Sequence, residues 1–149
     1  AASMGLDIPL LGSDTLDSNV VLEAAQGSNV QLYVSTFYQE GGSPKFDDGI
    51  KAWLNEDSTA MTNNGGNDTI AAVTAMGYDA YYVALEALKA AGSTDAGAVK
   101  AALPGVTYTG VTGVIAFDDI GDAIRDTAYI KVADTANNAW ALETMQKAG

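Results

Sequence analysis

The stretch GNDTIAAVTAMGYDAYYVALEALKAAG, Gly66 to Gly92, contains the longest helical pattern in the chain. Its apolar residues recur at steps of three and four, the spacing of a helix face that packs on a core. We predict that Asn67 or Asp68 caps the start of this helix, and that Gly92 ends it because glycine adopts the left-handed conformation at little cost. The predicted core-facing positions are Ile70, Val73, Gly77, Ala80, Tyr81, Ala84 and Leu88.

The chain before this helix alternates between strand and helix patterns. Ile8 to Gly12 (IPLLG) is a short apolar run typical of a strand buried on both faces. Val30 to Tyr38 (VQLYVSTFY) is rich in the β-branched and aromatic residues that favour strands. Between them, Asp17 and Ser18 can cap a helix over Asn19 to Ala25. A strand, a helix and a second strand at this spacing predict a right-handed unit with two parallel strands.

The segments on either side of the long helix are predicted to contain two further helices. Pro44 suits the first position of a helix that continues through Leu54, because proline there loses no needed amide. Residues 55–67 are rich in asparagine and glycine, and they are predicted to form a polar surface loop. A short helix over Ala96 to Leu103 follows the long helix.

The C-terminal part of the chain carries strand patterns. Val111 to Phe117 and Thr127 to Ala133 are predicted to pair as an antiparallel hairpin, with Trp140 to Met145 as a further short strand or an edge cover. The acidic segment between the first two strands, 118–122, lacks the alternating ligands and distal glutamate of a calcium loop, so a hairpin turn is preferred. Parallel strands followed by antiparallel strands predict an α/β protein with a C-terminal antiparallel hairpin.

The amino-acid composition argues against several classes of function. The net charge of −12 argues against nucleic acid as a partner, because phosphate binding draws on Lys and Arg. The chain contains neither cysteine nor histidine, so it lacks a thiol nucleophile and the commonest general base and metal ligand. No apolar run approaches the roughly 18 residues that cross a bilayer. We therefore predict a protein that is not an enzyme and that uses no cofactor and no metal.

The residues that follow the first predicted strand are the strongest candidates for a binding site. Ligands of open α/β sheets bind beyond the carboxyl ends of the strands, and Ser13, Asp14 and Thr15 lie at that position. The carboxylate of Asp14 can pair with a ligand ammonium group, while the two hydroxyls offer neutral contacts. The alternative is that Asp14 only caps the next helix.

Three segments together carry a family resemblance. They are IPLLGSDTLDSNVVLEAAQGSNVQLYVSTFY (8–38), GYDAYYVALEALKAAGSTDAGAVKAAL (77–103) and GVTGVIAFDDIGDAIRDTAYI (110–130). In this order they resemble the C-terminal part of the substrate-binding proteins of branched-chain amino acid (Leu/Ile/Val) ABC transporters. Such proteins have the type I periplasmic-binding fold, in which two flavodoxin-like lobes enclose an amino acid.

The resemblance implies a division of the chain between lobes and a set of ligand contacts. Residues 1–40 and 110–149 would belong to one lobe, and the helices in 44–105 would pack on the other. Asp14 matches the acidic residue that grips the ligand ammonium, and Thr15 lies beside it. Val73 matches the region of the long helix that approaches the ligand side chain, although it is not the aromatic residue that some members have there.

The resemblance also implies partners and a location. The expected ligand is leucine, isoleucine, valine or a similar small amino acid, and the expected protein partner is an ABC transporter permease. The location would be extracytoplasmic, in the periplasm or on the cell surface, although no signal sequence is visible in this segment. The parts of the family that hold the ligand carboxylate are not matched, so we expect this chain alone to bind such ligands weakly, with a dissociation constant of about 1 mM or more.

A second hypothesis is an interaction module without ligand binding. Helices separated from their sheet would expose apolar residues, including Phe46, Ile50 and Trp53 and the stripe from Ile70 to Leu88. Exposed apolar patches drive association, so a homodimer of this chain is the alternative prediction.

Overall fold

The structure is a computed structural model that describes residues 1–147. Helices and strands alternate in its first part, whereas its last part is formed by strands. The α-helices are α1 Asn19–Ala25, α2 Pro44–Glu56, α3 Ser58–Asn63, α4 Ala72–Ala91 and α5 Ala96–Ala102. The strands are β1 Leu10–Gly12, β2 Leu32–Thr36, β3 Tyr108–Gly110, β4 Gly113–Phe117, β5 Ala123–Ile124, β6 Thr127–Asp134 and β7 Ala139–Lys147.

The larger sheet is mixed, with the strand order β1-β2-β6-β7. Strands β1 and β2 run parallel, with Leu10 opposite Leu32, and α1 forms the connection between them, as the sequence predicts. Strand β6 is antiparallel to β2, and β7 is antiparallel to β6. The predicted α/β class and the antiparallel pairing of C-terminal strands are confirmed, and the tail strand, β7, is longer than predicted.

The predicted pairing of 111–117 with 127–133 is wrong. Strand β4 lies between β3 and β5 in a separate three-stranded sheet, whereas β6 pairs with β2 and β7. The acidic turn explains the difference, because the Asp118 carboxylate accepts hydrogen bonds from the amides of Ile120 and Asp122. These bonds turn the chain back at once, so β4 pairs with the short β5 before β6 begins.

The chain folds into two compact units. The first comprises Ala1–Val73 and residues 127–147, and the second comprises Thr74–Asp126. The predicted assignment of 1–40 and 110–149 to one lobe and 44–105 to the other stays a prediction. The core of the first unit includes Leu22, Val34 and Trp140, and that of the second includes Val83, Ala87, Val106 and Ile115.

Helix α2 begins at Pro44, as predicted, but the predicted loop after it is wrong in part. Residues Ser58–Asn63 form α3, because the Asp57 carboxylate accepts hydrogen bonds from the amides of Thr59 and Ala60. A short polar helix of this kind has almost no apolar pattern, so the sequence gives little sign of it.

Helix α4 begins five residues later than Asn67, so the predicted cap at Asn67 or Asp68 is wrong. The Asn67 side chain instead accepts hydrogen bonds from Asn19 Nδ2 and from the amide of Thr69. The helix ends as predicted, since Gly92 has a φ of +58° and its amide bonds to the last turn.

The buried face of α4 also differs from the predicted stripe. Val73 and Tyr81 are 53% and 62% exposed, although Ile70, just before the helix, is buried as predicted. The face that is buried contains a carboxylate: Asp79 accepts hydrogen bonds from the amides of Val111 and Thr112 at 2.9 and 2.8 Å. Because Asp79 lies in the middle of the buried face, that face does not show an unbroken apolar pattern in the sequence. The buried residues of α4 are Ala72, Ala75, Asp79, Val83 and Ala87.

Candidate functional site

The candidate site is the turn that follows β1. The chain leaves the strand at Gly12 and forms a 3₁₀ turn over Asp14–Leu16, closed by hydrogen bonds from the Leu16 amide to Ser13 and from the Asp17 amide to Asp14, both 3.0 Å. A Cβ at Gly12 would lie 2.5 Å from Leu16 Cδ1, so a larger residue there would displace the exposed Leu16 side chain. The turn therefore projects from the carboxyl end of a parallel strand, as the sequence predicts.

The polar groups of this turn are accessible. Ser13 and Thr15 are exposed, and their hydroxyls are 2.8 Å apart. Asp14 is partly exposed, and its carboxylate makes no hydrogen bond or ion pair with the residues that the structure describes. Helix α1 is capped instead by Ser18, whose Oγ accepts from the amide of Val21 at 3.3 Å. The Asp14 carboxylate is thus available to a cation from outside the chain.

A buried carboxylate fixes the other end of the turn. Asp17 Oδ2 accepts hydrogen bonds from Thr36 Oγ1 at 3.0 Å, from the Ala72 amide at 3.2 Å and from Lys131 Nζ at 2.9 Å. The Asp17 and Lys131 side chains are 1% and 3% exposed. One oxygen atom therefore joins the turn to the end of β2, the start of α4 and the middle of β6.

The network around Asp17 brings Val73 to the same region. Val73 follows Ala72, whose amide bonds to Asp17, so the first turn of α4 is held to the candidate turn. The Val73 side chain is half exposed. All four predicted ligand-binding residues, Ser13, Asp14, Thr15 and Val73, thus belong to the first compact unit.

The sequence does not reveal the role of Asp17 or Lys131. Its pattern indicates only that Asp17 can be part of a helix cap and that Lys131 lies in a strand. The available signal was weak: a lysine between Ile130 and Val132 in a strand that is otherwise mostly apolar. Because a buried lysine needs a counter-charge, that position could have suggested an acidic partner, but not which one.

The chain that follows β2 contains a second buried carboxylate. Tyr38 Oη donates a hydrogen bond to Asp47 Oδ1 at 2.6 Å, and the amide of Gly41 donates to Asp47 Oδ2 at 2.7 Å. Burial raises the pKa of Tyr38, and the hydrogen bond to Asp47 raises it further. These bonds hold the crossover from β2 to α2 in place.

Glu40, which lies in the same crossover, holds Ile70, two residues before α4 begins. Glu40 forms an ion pair with Lys51 of α2 and accepts a hydrogen bond from the amide of Ile70 at 3.2 Å. The hydrogen bond to Glu40 raises the pKa of Lys51. Glu40 and Asp17 therefore take up two of the backbone amides, Ile70 and Ala72, at the entry to the helix.

The turn, which lies within the described residues, offers polar groups to a ligand but no cluster of metal ligands. Within residues 1–147 no group of three or more carboxylate, histidine or cysteine side chains could hold a metal ion. The accessible groups at the turn are one carboxylate and two hydroxyls, which suit an ammonium group with neutral polar neighbours.

A model of a periplasmic binding protein family matches residues 1–137. The chain belongs to this family. The match is to a family of binding proteins rather than enzymes, as the sequence predicts. A comparison with curated protein sequences gives no match. None of the helices in the described part of this family member is long and apolar enough to cross a membrane.

Solved structures show the same fold. The chain is similar to a leucine-binding protein, LivK, from Thermotoga maritima, with a TM-score of 0.73, 24% identity and coverage of 97% of this chain and 39% of that one. It is also similar to the solute-binding protein of an ABC transporter from R. palustris in complex with benzoate, with a TM-score of 0.69, 16% identity and coverage of 99% and 39%. The chain thus spans about two fifths of the length of these structures.

Proposed function

We propose that this family member is part of an extracytoplasmic solute-binding protein that delivers a small amino acid, of the branched-chain type, to an ABC transporter permease. The observation that carries the proposal is the Asp14 carboxylate, which follows a parallel strand, is flanked in sequence by Ser13 and Thr15, and has no charged partner among residues 1–147. In the proposed complex, this carboxylate accepts hydrogen bonds from the ligand ammonium.

The charge of the turn favours an amino acid over a simple carboxylate. The names of the two solved structures point to different ligands, since one is a leucine-binding protein and the other is in complex with benzoate. An anion such as benzoate has no group that gains from contact with Asp14, whereas an ammonium group gains a charge-assisted hydrogen bond. Val73, half exposed at the start of α4, supplies an apolar contact of the kind that a branched side chain needs.

Titration of the chain with leucine, followed by amide NMR shifts, tests the proposal at the weak affinity expected. We expect saturable shifts at Ser13, Asp14 and Thr15, and no such shifts with 4-methylpentanoate, which is leucine without its amino group. Asp14→Asn is expected to weaken leucine binding at least tenfold, because the amide cannot form the charged hydrogen bond. Asp48→Asn, which removes one exposed charge from α2, is the matched control. Equal responses to both ligands would contradict the proposal.

A second candidate is self-association of the chain. The outward face of α4 carries exposed Val73 and Tyr81, and the second unit contains an apolar cleft of about 350 Å³ that begins on the same helix. Apolar surface of this kind favours association with a second copy. A midpoint of thermal unfolding that rises with protein concentration would support this candidate. The cleft is lined by Met76, Ala80, Val83, Ala84, Leu103, Ile115, Phe117, Ala123 and Arg125.

A further inference from the structure

We infer that Asp17 is the positioning residue of the candidate ligand turn, and that Lys131 allows it to act in that way. This inference rests on the proposed function of Asp14. Three observations carry it: the position of Asp17 at the end of the turn, the three donors on its Oδ2 atom, and the irregularity of the sheet beside Lys131.

The position of Asp17 makes it part of the turn rather than a neighbour of it. Its amide donates to the Asp14 carbonyl, which closes the 3₁₀ turn, while its carboxylate points into the protein interior. The Asp17 side chain therefore anchors the same residue whose amide closes the turn that carries Asp14. The Asp14 side chain itself has no bond to the described residues that could hold it in place.

The donors on Asp17 come from three different elements. Thr36 ends β2, Ala72 begins α4 and Lys131 lies in β6. The hydrogen bond from the Ala72 amide to Asp17 matters for ligand binding, because it holds the helix that carries Val73 next to the turn. Asp17 therefore fixes the polar and the apolar parts of the candidate site relative to each other.

The sheet departs from regular pairing where Lys131 is placed. Ile130 lies opposite Thr144, but Lys131 lies opposite Leu142, so Glu143 is an extra residue in β7. An extra residue of this kind bends a strand and redirects nearby side chains. Lys131 supplies the positive charge that a carboxylate buried at 1% exposure requires.

The carboxylates of Asp14 and Asp17 have different electrostatic surroundings. Both carboxylates lie on one short turn, but only that of Asp17 is neutralised by a cation. The Asp14 carboxylate is left as the negative group available to a ligand. The structure thus divides the two acids of the turn into one that binds and one that holds the turn.

Two double variants test the inference, because a single change would leave a buried charge unpaired. In D17N/K131M both charges are removed but an acceptor remains for Thr36 and Ala72; in D17A/K131M the acceptor is lost as well. We expect amide hydrogen exchange at Leu16, residue 17 and Ala72 to be at least tenfold faster in D17A/K131M than in D17N/K131M, relative to the slowest amides of β2. Equal exchange in both would overturn the inference.

If D17A/K131M fails to fold, D17N/K131M is compared with the wild type instead. We then expect exchange at the same amides to be at least twofold faster in D17N/K131M. No increase there would overturn the inference.

A matched control and a ligand measurement separate positioning from general stability. Asp47→Asn changes another buried carboxylate of the same unit, and it is expected to leave relative exchange at Leu16 unchanged. In leucine titrations, D17A/K131M is expected to bind at least tenfold more weakly than D17N/K131M. Equal leucine binding by the two variants would overturn the inference even if exchange differed. Absence of any leucine response in the wild type would contradict the proposed function instead, and the exchange comparison would then decide the role of Asp17 alone.

Discussion

At the scale of single residues, environment rather than residue type separates the acidic side chains of this protein. Asp14 and Asp17 are three positions apart, yet the first is partly exposed and unpaired among residues 1–147, while the second accepts three hydrogen bonds in the interior. The sequence predicted Asp14 from its place after a strand. It could not predict Asp17, because the donors lie up to 114 positions away.

The environment of Tyr38 leads to a prediction about alkaline pH. Burial and the hydrogen bond to Asp47 raise the pKa of Tyr38 above its ordinary value of 10.0. Above pH 10 the unfolded chain therefore loses this proton before the folded protein does, and the free energy of unfolding falls as pH rises, by up to about 1.4 kcal/mol per pH unit.

Urea unfolding between pH 8 and 11 checks the contribution of Tyr38. Tyr38→Phe is expected to be less stable at pH 8, because Asp47 loses a donor, but to lose stability more slowly above pH 10. Tyr33→Phe is a suitable control in the neighbouring strand, β2. Parallel curves for the wild type and Tyr38→Phe would show that Tyr38 ionises as it does in the unfolded chain.

At the scale of elements, local signals predicted where most helices and strands lie but not how they face or pair. The start of α1 after Ser18 and the end of α4 at Gly92 follow from capping chemistry, the start of α2 follows from Pro44, and all three are confirmed. The buried face of α4 was predicted wrongly because Asp79 interrupts it. The pairing of β4 was predicted wrongly because hydrogen bonds within an acidic turn decide it.

The contact between Asp79 and the chain after β3 leads to a prediction about Gly110. A Cβ at Gly110 would lie 2.3 Å from the Asp79 carboxylate, which is fully buried and bonded to Val111 and Thr112. Gly110→Ala must displace this carboxylate or the backbone, at a cost of about 3 kcal/mol in the free energy of unfolding.

Denaturant unfolding of Gly110→Ala beside Gly105→Ala measures this cost. Gly105 has no atom within 4 Å of its added Cβ, so its substitution is expected to change stability by less than about 1 kcal/mol. A loss for Gly110→Ala no larger than that of the control would mean that the structure accommodates the methyl group.

At the scale of the whole molecule, the family and the α/β class could be recognised from the sequence, whereas the assignment of segments to lobes could not be tested. The chain covers 39% of each similar solved structure, so the function of a complete binding protein remains a proposal for it. The sequence resemblance predicts that Asp14, Thr15 and Val73 contact the ligand. It cannot predict the affinity for that ligand, because affinity depends on how many polar groups of the ligand are hydrogen-bonded.

Thermal unfolding with leucine, isoleucine or valine at two protein concentrations measures that affinity. For a dissociation constant of about 1 mM, ligand at 10 mM is expected to stabilise the chain by about 1.4 kcal/mol. A midpoint temperature of unfolding that rises with protein concentration but does not change with any of the three amino acids would favour the self-associating module. Stabilisation corresponding to micromolar affinity would contradict the prediction of weak binding.

The ion pair between Asp17 and Lys131 also has a consequence for the order of folding. The two residues are separated by 114 positions, so the turn lacks its buried counter-charge until β6 has joined the sheet. Contacts between distant residues form slowly, because a long loop must close before they contribute any stability. On a ribosome, moreover, Asp17 is synthesised long before Lys131. We therefore expect the candidate ligand turn, although it is synthesised before β6, to become ordered only after β6 has joined the sheet.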